Sequence, residues 1–150
     1  MSQYPYSAII SCFIYDLEQV ILCVPGSEMR DGGSQFNVGE IDAVVKVLMD
    51  LGAAGVKPGS IGVITPLKAQ RRVVKEKLGR SKVEVSTVDS FQGREKEVIV
   101  FGTTSTRNLS FMEDLNRVNV AFTRARRKLI VLGNMDSIIG SSSILKKYLE

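Results

Sequence analysis

The sequence contains no histidine, and its 150 residues include two cysteines. Without an imidazole, general-base catalysis by histidine and most transition-metal sites are excluded. Cys12 and Cys23 lie in apolar runs and lack the CxxC spacing of a structural zinc site, so we predict no metal site in this chain. We interpret them as buried, reduced thiols of an intracellular protein, either cytoplasmic or nuclear.

Long hydrophobic runs are scarce as well. The apolar stretch of residues 7–24 is interrupted by Asp16, Glu18 and Gln19, and it has neither a basic flank nor a cleavage site. We therefore interpret it as core strands and expect no membrane partner. The chain has 20 basic and 16 acidic residues, and its net charge of +4 suits a polyanionic partner without identifying one.

A composition of 44% hydrophobic and 24% charged residues fits one globular domain that spans residues 1–150. Short apolar runs alternate with helical patterns along the chain. The predicted strands are residues 8–15, 20–24, 61–65, 83–86, 98–101 and 129–132, and the predicted helices are residues 37–52, 66–78, 111–126 and 138–149. This order predicts an α/β fold, a three-layer and mostly parallel sheet with helices on both faces.

The first predicted helix has recognisable signals at both ends. Asn37 precedes Glu40 by three residues, a capping box with Asn in place of Ser or Thr, and Gly52 is interpreted as the stop. A polar loop is predicted before it, at residues 25–36. The predicted buried face of this helix consists of Val38, Ile41, Val44, Val45 and Leu48.

Three segments carry polar side chains that a core does not need. Residues 61–72 hold a strand that ends at Thr65 and a helix with Lys68, Gln70, Arg71 and Arg72, which is either an anion site or a solvated basic face. Residues 85–100 offer hydroxyls and amides to phosphate, or form an ordinary polar loop. Residues 115–128 contain five cations and no acid, a pattern that favours phosphate binding. We expect the site at the carboxyl ends of the strands.

These segments resemble the late motifs of superfamily 1 helicases, in the branch of the nonsense-mediated-decay RNA helicase and senataxin. Asn37-x-x-Glu40 resembles the opening motif of the second RecA-like domain. Residues 61–71 resemble motif IV, residues 87–95 motif V with Ser-Phe-Gln-Gly-Arg-Glu, and residues 117–126 motif VI with Asn-Val-Ala-Phe-Thr-Arg-Ala-Arg. The resemblance implies a RecA-like domain of the P-loop NTPase type that lacks its own P-loop.

The resemblance also implies a role for individual residues. Arg124 would be the arginine finger with Arg126 in support, and Gln70 or Arg71 would reach the nucleotide, Arg71 near the γ-phosphate. Glu95 would bond the ribose or hold the neighbouring arginines. The predicted track for single-stranded RNA or DNA consists of Thr65, Thr87 and Asp89.

The chain has no GxxxxGK[ST] motif and no acidic strand end that would bind magnesium. ATP and Mg²⁺ would therefore be held largely by a first RecA-like domain of the same, longer protein, and the isolated chain is expected to be inactive. The alternative is a non-catalytic nucleic-acid-binding module that retains the helicase fold. Retention of Arg124, Gln70 and Glu95 argues against it, because simple phosphate binding does not need a buried carboxylate.

Overall fold

The computed structural model describes residues 2–5, 19–23, 28–31, 34–91, 94–102 and 123–133. The described residues form eight strands and two α-helices. The strands are β1 (Ser2–Pro5), β2 (Gln19–Cys23), β3 (Glu28–Asp31), β4 (Ser34–Asn37), β5 (Ile61–Thr65), β6 (Glu84–Thr87), β7 (Lys96–Gly102) and β8 (Ala125–Gly133), and the helices are α1 (Val38–Ala53) and α2 (Lys68–Leu78). Short 3₁₀ turns occupy Pro58–Ser60 and Asp89–Phe91.

Six strands form one parallel sheet in the order β1-β2-β8-β7-β5-β6. This confirms the predicted α/β class with its parallel sheet. Helices α1 and α2 contact each other as well as the sheet, so we infer that they cover the same face. The predicted strand at residues 8–15 and the predicted helix at residues 138–149 lie outside the described residues.

The predicted polar loop at residues 25–36 is wrong. Strands β3 and β4 pair there as an antiparallel hairpin, with Glu28 opposite Asn37 and Asp31 opposite Ser34. The sequences of both strands are mostly polar and contain no β-branched residue, so they give no strand signal. The Gly32-Gly33 pair between them in the sequence is a hairpin signal that the prediction did not use.

The predicted helix at residues 111–126 extends too far: Thr123 is helical, but Arg124 lies in a bend. Residues 125 and 126 belong to β8, which pairs with β7 from the Lys96–Ala125 register onward. Strand β8 therefore begins four residues before its predicted start, with the polar segment Ala-Arg-Arg-Lys. Pairing with β7 supplies the hydrogen bonds that this polar segment needs, and hydrophobicity alone does not predict it. Residues 111–122 lie outside the described part of the chain.

The ends of α1 follow specific hydrogen bonds. The Asn37 side chain caps the first turn, since its Oδ1 accepts from the Glu40 N–H at 3.0 Å, as predicted. At the other end, Val56 N–H donates to the Leu51 carbonyl and Gly55 N–H to the Gly52 carbonyl, both at 3.0 Å. These two bonds form a Schellman motif in which Gly55 adopts a φ of 92°. The helix thus ends at Ala53, and Gly55 provides the left-handed residue.

The buried face of α1 is rotated from the predicted one. The structure buries Ile41, Val44, Val47 and Leu51, whereas Val38 is 40% exposed. The rotation follows from Glu40, which is buried on the same face and hydrogen-bonded there. These side chains pack against buried residues of β5, β7 and β8 to form one core.

Helix α2 begins two residues later than predicted. Leu67 is extended, with φ −118° and ψ 138°, and its carbonyl accepts the Arg71 N–H at 3.2 Å. Pro66 therefore lies outside the first helical turn. No described helix has both the length and the apolarity that crossing a membrane requires.

Candidate functional site

The predicted site residues lie at two opposite edges of the sheet. Thr65 and Thr87 end β5 and β6, at the carboxyl edge. Glu95 and Arg124 directly precede β7 and β8, at the amino edge. The expectation that the chemistry sits at the carboxyl ends is therefore wrong for Glu95 and Arg124. The connection from β6 to β7 crosses between the edges, so one motif supplies residues to both.

The amino-edge cluster consists of Glu95, Arg124 and Arg126. The Lys96 N–H donates to the Arg124 carbonyl at 3.0 Å, which fixes the starts of β7 and β8 against each other. Arg126 Nε donates to Glu95 Oε2 at 3.2 Å. Arg124 is partly buried, and its Nη2 lies 3.4 Å from the Thr123 hydroxyl. The structure thus brings Glu95, Arg124 and Arg126 together at the starts of β7 and β8.

An irregularity in the sheet arranges the arginines that follow. The register between β7 and β8 shifts between Lys96 and Val98, so Glu97 faces both Arg126 and Arg127. Glu97 forms ion pairs with both, its carboxylate lying 2.9 Å from Arg127 Nε and 3.6 Å from Arg126 Nη1. Sequence reasoning missed Glu97 because it assigned Arg126 to a helix. A signal was present in the sequence, since Glu95 and Glu97 precede one predicted apolar run and Arg126 and Arg127 precede the next.

Glu95 is the main cause of the raised pKa of Arg126, through a hydrogen bond and charge attraction, and Glu97 adds to it. Arg126 is charged at physiological pH, as any arginine is. The Glu95 side chain is 48% exposed, so it is not the buried carboxylate that sequence reasoning took it for. An exposed pair of this kind contributes little to stability, and we interpret it as a means of orienting Arg126.

At the carboxyl edge, Thr65 and Thr87 occupy paired positions on neighbouring strands. Thr65 is 1% exposed, whereas Thr87 is partly exposed. Thr87 Oγ1 lies 2.9 Å from Ser90 Oγ and accepts the Ser90 N–H at 3.3 Å. Asp89 opens the 3₁₀ turn that follows. The two threonines and the backbone of Asp89 therefore lie together, with Thr87 the more accessible hydroxyl.

Gln70 is buried and ties the two helices together. Its Oε1 accepts the Asn37 N–H at 2.8 Å, and its Nε2 donates to Glu40 Oε1 at 3.1 Å. Gln70 thereby takes the place of the Glu40 side chain in the predicted capping box, where Glu40 would itself accept the Asn37 N–H. Each of the three residues is 1% exposed. We refer to Asn37, Glu40 and Gln70 as the buried tie.

Gly102, at the end of β7, has no side chain, and Glu40 of the buried tie occupies the space where a Cβ would be. A Cβ at this position would collide with Glu40 Oε1 and would lie 3.8 Å from Gln70 Nε2. Glu40 cannot move away without giving up its bond to Gln70. A larger residue at this strand end would displace Glu40, so glycine favours the buried tie, which belongs to the packing of the carboxyl edge.

Arg71 does not lie beside Arg124. Its Nε reaches the Val85 carbonyl of β6, at 3.4 Å. Strands β6 and β8 are separated by β7 and β5, which at normal strand spacing amounts to about 14 Å. The structure thus separates the two arginines that the resemblance assigns to one nucleotide, and the role of Arg71 near the γ-phosphate stays a prediction.

A cavity of about 330 Å³ also opens at the amino edge. It lies between the end of α1 and the starts of β7 and β8, and Lys57, Ser60, Glu97 and Lys128 are among its lining residues. Among the residues that the structure describes, no three potential ligands lie close enough together to hold a metal ion.

Comparison with known proteins agrees with this architecture. The parallel α/β sheet with its packed helices is that of a RecA-like domain. A family model described as "AAA domain" matches residues 12–136. The chain belongs to this family and, with the relatives below, to the superfamily 1 helicases, in the branch of the nonsense-mediated-decay helicase and senataxin.

Three relatives illustrate the similarity. The DNA polymerase alpha-associated DNA helicase A of Saccharomyces cerevisiae is 40% identical over 111 residues, which cover 69% of this chain and 16% of that protein. The regulator of nonsense transcripts 1 of Dictyostelium discoideum is 36% identical over 125 residues, covering 75% and 9%. The helicase sen1 of Schizosaccharomyces pombe is 43% identical over 90 residues, covering 53% and 5%. The chain spans less than a fifth of each of these proteins.

Proposed function

We propose that this chain is the second motor domain of an ATP-dependent helicase and that Arg124 is its arginine finger. The observation that carries the proposal is the amino-edge cluster, in which Glu95 of motif V and Arg124 and Arg126 of motif VI meet at the starts of two neighbouring strands. A guanidinium held at a strand start can present a fork of donors to a phosphoryl group.

Within this proposal each member of the amino-edge cluster has a separate task. Arg124 stabilises the charge that develops on the transferred phosphoryl group. Arg126 supports it, held in a fixed orientation by Glu95. Glu95 then serves mainly to hold the arginines, which is one of the two roles that the resemblance implies for it. Gln70 serves in the buried tie, and a contact of Gln70 with nucleotide stays a prediction.

ATP and Mg²⁺ are the cofactors of the proposed motor. The guanidinium groups of the amino-edge cluster fit the phosphates of ATP, which carry the opposite charge. The phosphate cradle and the magnesium ligands would come from a first RecA-like domain of a longer protein, because the sequence lacks a GxxxxGK[ST] motif. Bound nucleotide would supply the phosphoanhydride bond that is cleaved. Both domains would contact the nucleotide, and Arg124 would provide the contact from this domain.

The carboxyl edge would carry the nucleic acid. Thr65, Thr87 and Asp89 form the proposed track for a single strand, with Thr87 exposed enough to contact a phosphate in the present arrangement. Arg124 pulls the domain toward the nucleotide and releases it after hydrolysis, and the track shifts along the strand in each cycle. Contacts of this kind do not depend on base sequence, so RNA and DNA both remain substrates under the proposal, in the cytoplasm or the nucleus.

The isolated chain tests one consequence of the proposal. We expect the 150-residue chain, supplied with ATP, Mg²⁺ and single-stranded RNA or DNA, to release no phosphate above the buffer background, because it lacks the phosphate cradle. Phosphate release is measured by a coupled colorimetric assay. A turnover that disappears in the Arg124→Ala variant of the same chain would contradict the half-motor proposal, because the chain would then contain a complete site.

A further inference from the structure

Helix α2 and the turn that follows it carry a concentrated positive charge. Residues 66–82 contain seven cations and one acid, Glu76, a formal charge of +6. The whole chain carries +4, so the other 133 residues together carry −2. The basic character of this protein therefore resides in one segment, most of whose cations have no predicted role at the nucleotide.

Three of these cations lie on one face of α2. Lys68, Arg72 and Lys75 are spaced i, i+4 and i+7, which places them in line along the helix. All three are exposed, and we call them the α2 basic stripe. Arg72 pairs with Glu76 at 3.2 Å, whereas Lys68 and Lys75 form no ion pair with a described residue. The stripe thus presents cations that the described acids leave mostly uncompensated.

The opposite face of α2 is occupied by the protein core. Ala69, Gln70 and Val74 are at most 5% exposed, and the helix packs on β4, β5 and β6. A basic amphipathic helix binds a membrane by burying its apolar face in the lipid, and in this protein that face is not accessible. The α2 basic stripe is therefore suited to a ligand that offers negative charge alone, such as the phosphate backbone of a nucleic acid.

The stripe continues the proposed nucleic-acid track. Lys68 follows Thr65, at the carboxyl edge, by three residues, and β6 with Thr87 is the edge strand of the sheet. From Lys68 to Lys75 the helix advances by about 10 Å, enough for two or three successive phosphates of a single strand. Helix α2 packs on β4, β5 and β6, whereas Arg124 directly precedes β8, which β7 separates from β5.

We propose that the α2 basic stripe binds the backbone of the single strand where that strand leaves the Thr65–Thr87 track. This inference rests on the proposed function for the position of the track. Lys68, Arg72 and Lys75 contact phosphates and read no base, so the stripe lengthens the bound segment without adding sequence preference. Its contribution depends on salt, since each contact releases counterions from the strand.

Binding of a fluorescent oligo(dT) or oligo(U) to the 150-residue chain tests the stripe by fluorescence anisotropy. The stripe variant combines Lys68→Gln, Arg72→Gln and Lys75→Gln. The matched control combines Lys46→Gln, Lys57→Gln and Arg127→Gln, which remove the same charge outside residues 66–82. When the salt concentration rises from about 50 to about 200 mM, the affinity of the unaltered chain should fall about 20-fold more than that of the stripe variant. The reason is that three phosphate contacts to a single strand contribute about 2 to the slope of log affinity against log salt concentration.

Equal salt slopes in the stripe variant and the control variant would overturn the inference, and so would binding to phosphatidylserine vesicles without binding to the oligonucleotides. A second measurement needs no variant. Photo-crosslinking of oligo(dT) to the unaltered chain should label peptides that contain residues 68–75, and labelling confined to other peptides would contradict the stripe. Loss of ATP hydrolysis in the longer protein would overturn the motor proposal and leave these binding results intact, so the two failures are distinguishable.

Discussion

Replacing Arg124 with alanine in the longer helicase should lower the rate of ATP hydrolysis by about 10³ to 10⁵, the usual effect of losing an arginine finger. This corresponds to about 4 to 7 kcal/mol at the transition state. The reason is that Arg124 supplies charge to the phosphoryl group only as it is transferred. The kcat measured by phosphate release at saturating ATP reports the loss, and the fold should survive, because Arg124 is only partly buried at the start of β8.

Arg127→Ala provides the matched control for this experiment. Arg127 lies three residues further along, is 81% exposed and pairs with Glu97 at the sheet irregularity. Its loss should change hydrolysis by no more than about fivefold, since an exposed ion pair contributes at most about 1 kcal/mol. Near-normal turnover in Arg124→Ala, or an equal loss in both variants, would remove Arg124 from the role of arginine finger.

Replacing Gln70 with alanine should destabilise the isolated chain by about 2 to 5 kcal/mol. The variant leaves the Asn37 N–H without its acceptor and removes one donor from the buried Glu40 carboxylate. Each such unsatisfied buried group costs about 1 to 3 kcal/mol, and more when it is charged. Urea unfolding of the 150-residue chain without nucleotide measures the change directly. The absence of nucleotide is essential, because it separates the buried tie from any contact with ATP.

Two further variants frame that result. Arg72→Ala, on the exposed face of the same helix, should change stability by no more than about 0.5 kcal/mol. Gly102→Ala should destabilise the chain by about 1 to 3 kcal/mol, because its methyl group collides with Glu40 of the buried tie. If Gln70→Ala were as stable as the unaltered chain, the buried tie would have no energetic role, and Gln70 would be better explained as a nucleotide contact.

The elements that sequence predicts well are those whose burial is complete. Strand β5 is buried at every position from Ile61 to Thr65, and its apolar run predicts it correctly. Strand β7 contains the predicted run 98–101 for the same reason. The start of α1 is also predictable, because Asn37 caps the helix by a bond within one turn of chain. Local signals of this kind do not depend on the rest of the fold.

The errors arise where a distant partner determines the structure. Strands β3 and β4 are polar and form because they pair with each other. The Ala-Arg-Arg-Lys start of β8 is extended because β7 lies beside it, although the same residues suit a helix when taken alone. The buried face of α1 is rotated because Gln70, 30 residues away in sequence, draws Glu40 inward. None of these partners is visible in a local pattern.

The roles of the candidate site residues stay predictions, but their positions in the sheet can be compared with what the sequence indicated. The motif resemblance selected Glu95, Arg124 and Arg126, and the structure brings them together. The resemblance could not indicate that these residues lie at the amino edge while Thr65 and Thr87 lie at the carboxyl edge, since this depends on where the chain crosses the sheet. It also gave no sign of Glu97, whose contact with two arginines follows from the register shift.

ATP hydrolysis by the longer protein, with and without single-stranded RNA and DNA, tests the central claim most directly. The half-motor account predicts Mg²⁺-dependent ATP hydrolysis by the longer protein that rises when one or both polymers are added. The 150-residue chain should hydrolyse no ATP under the same conditions. The polymer that stimulates identifies the substrate. A longer protein that binds RNA or DNA but hydrolyses no ATP in the presence of either polymer would contradict the account. Arg124 would then be explained as a phosphate-binding residue of a non-catalytic binding module.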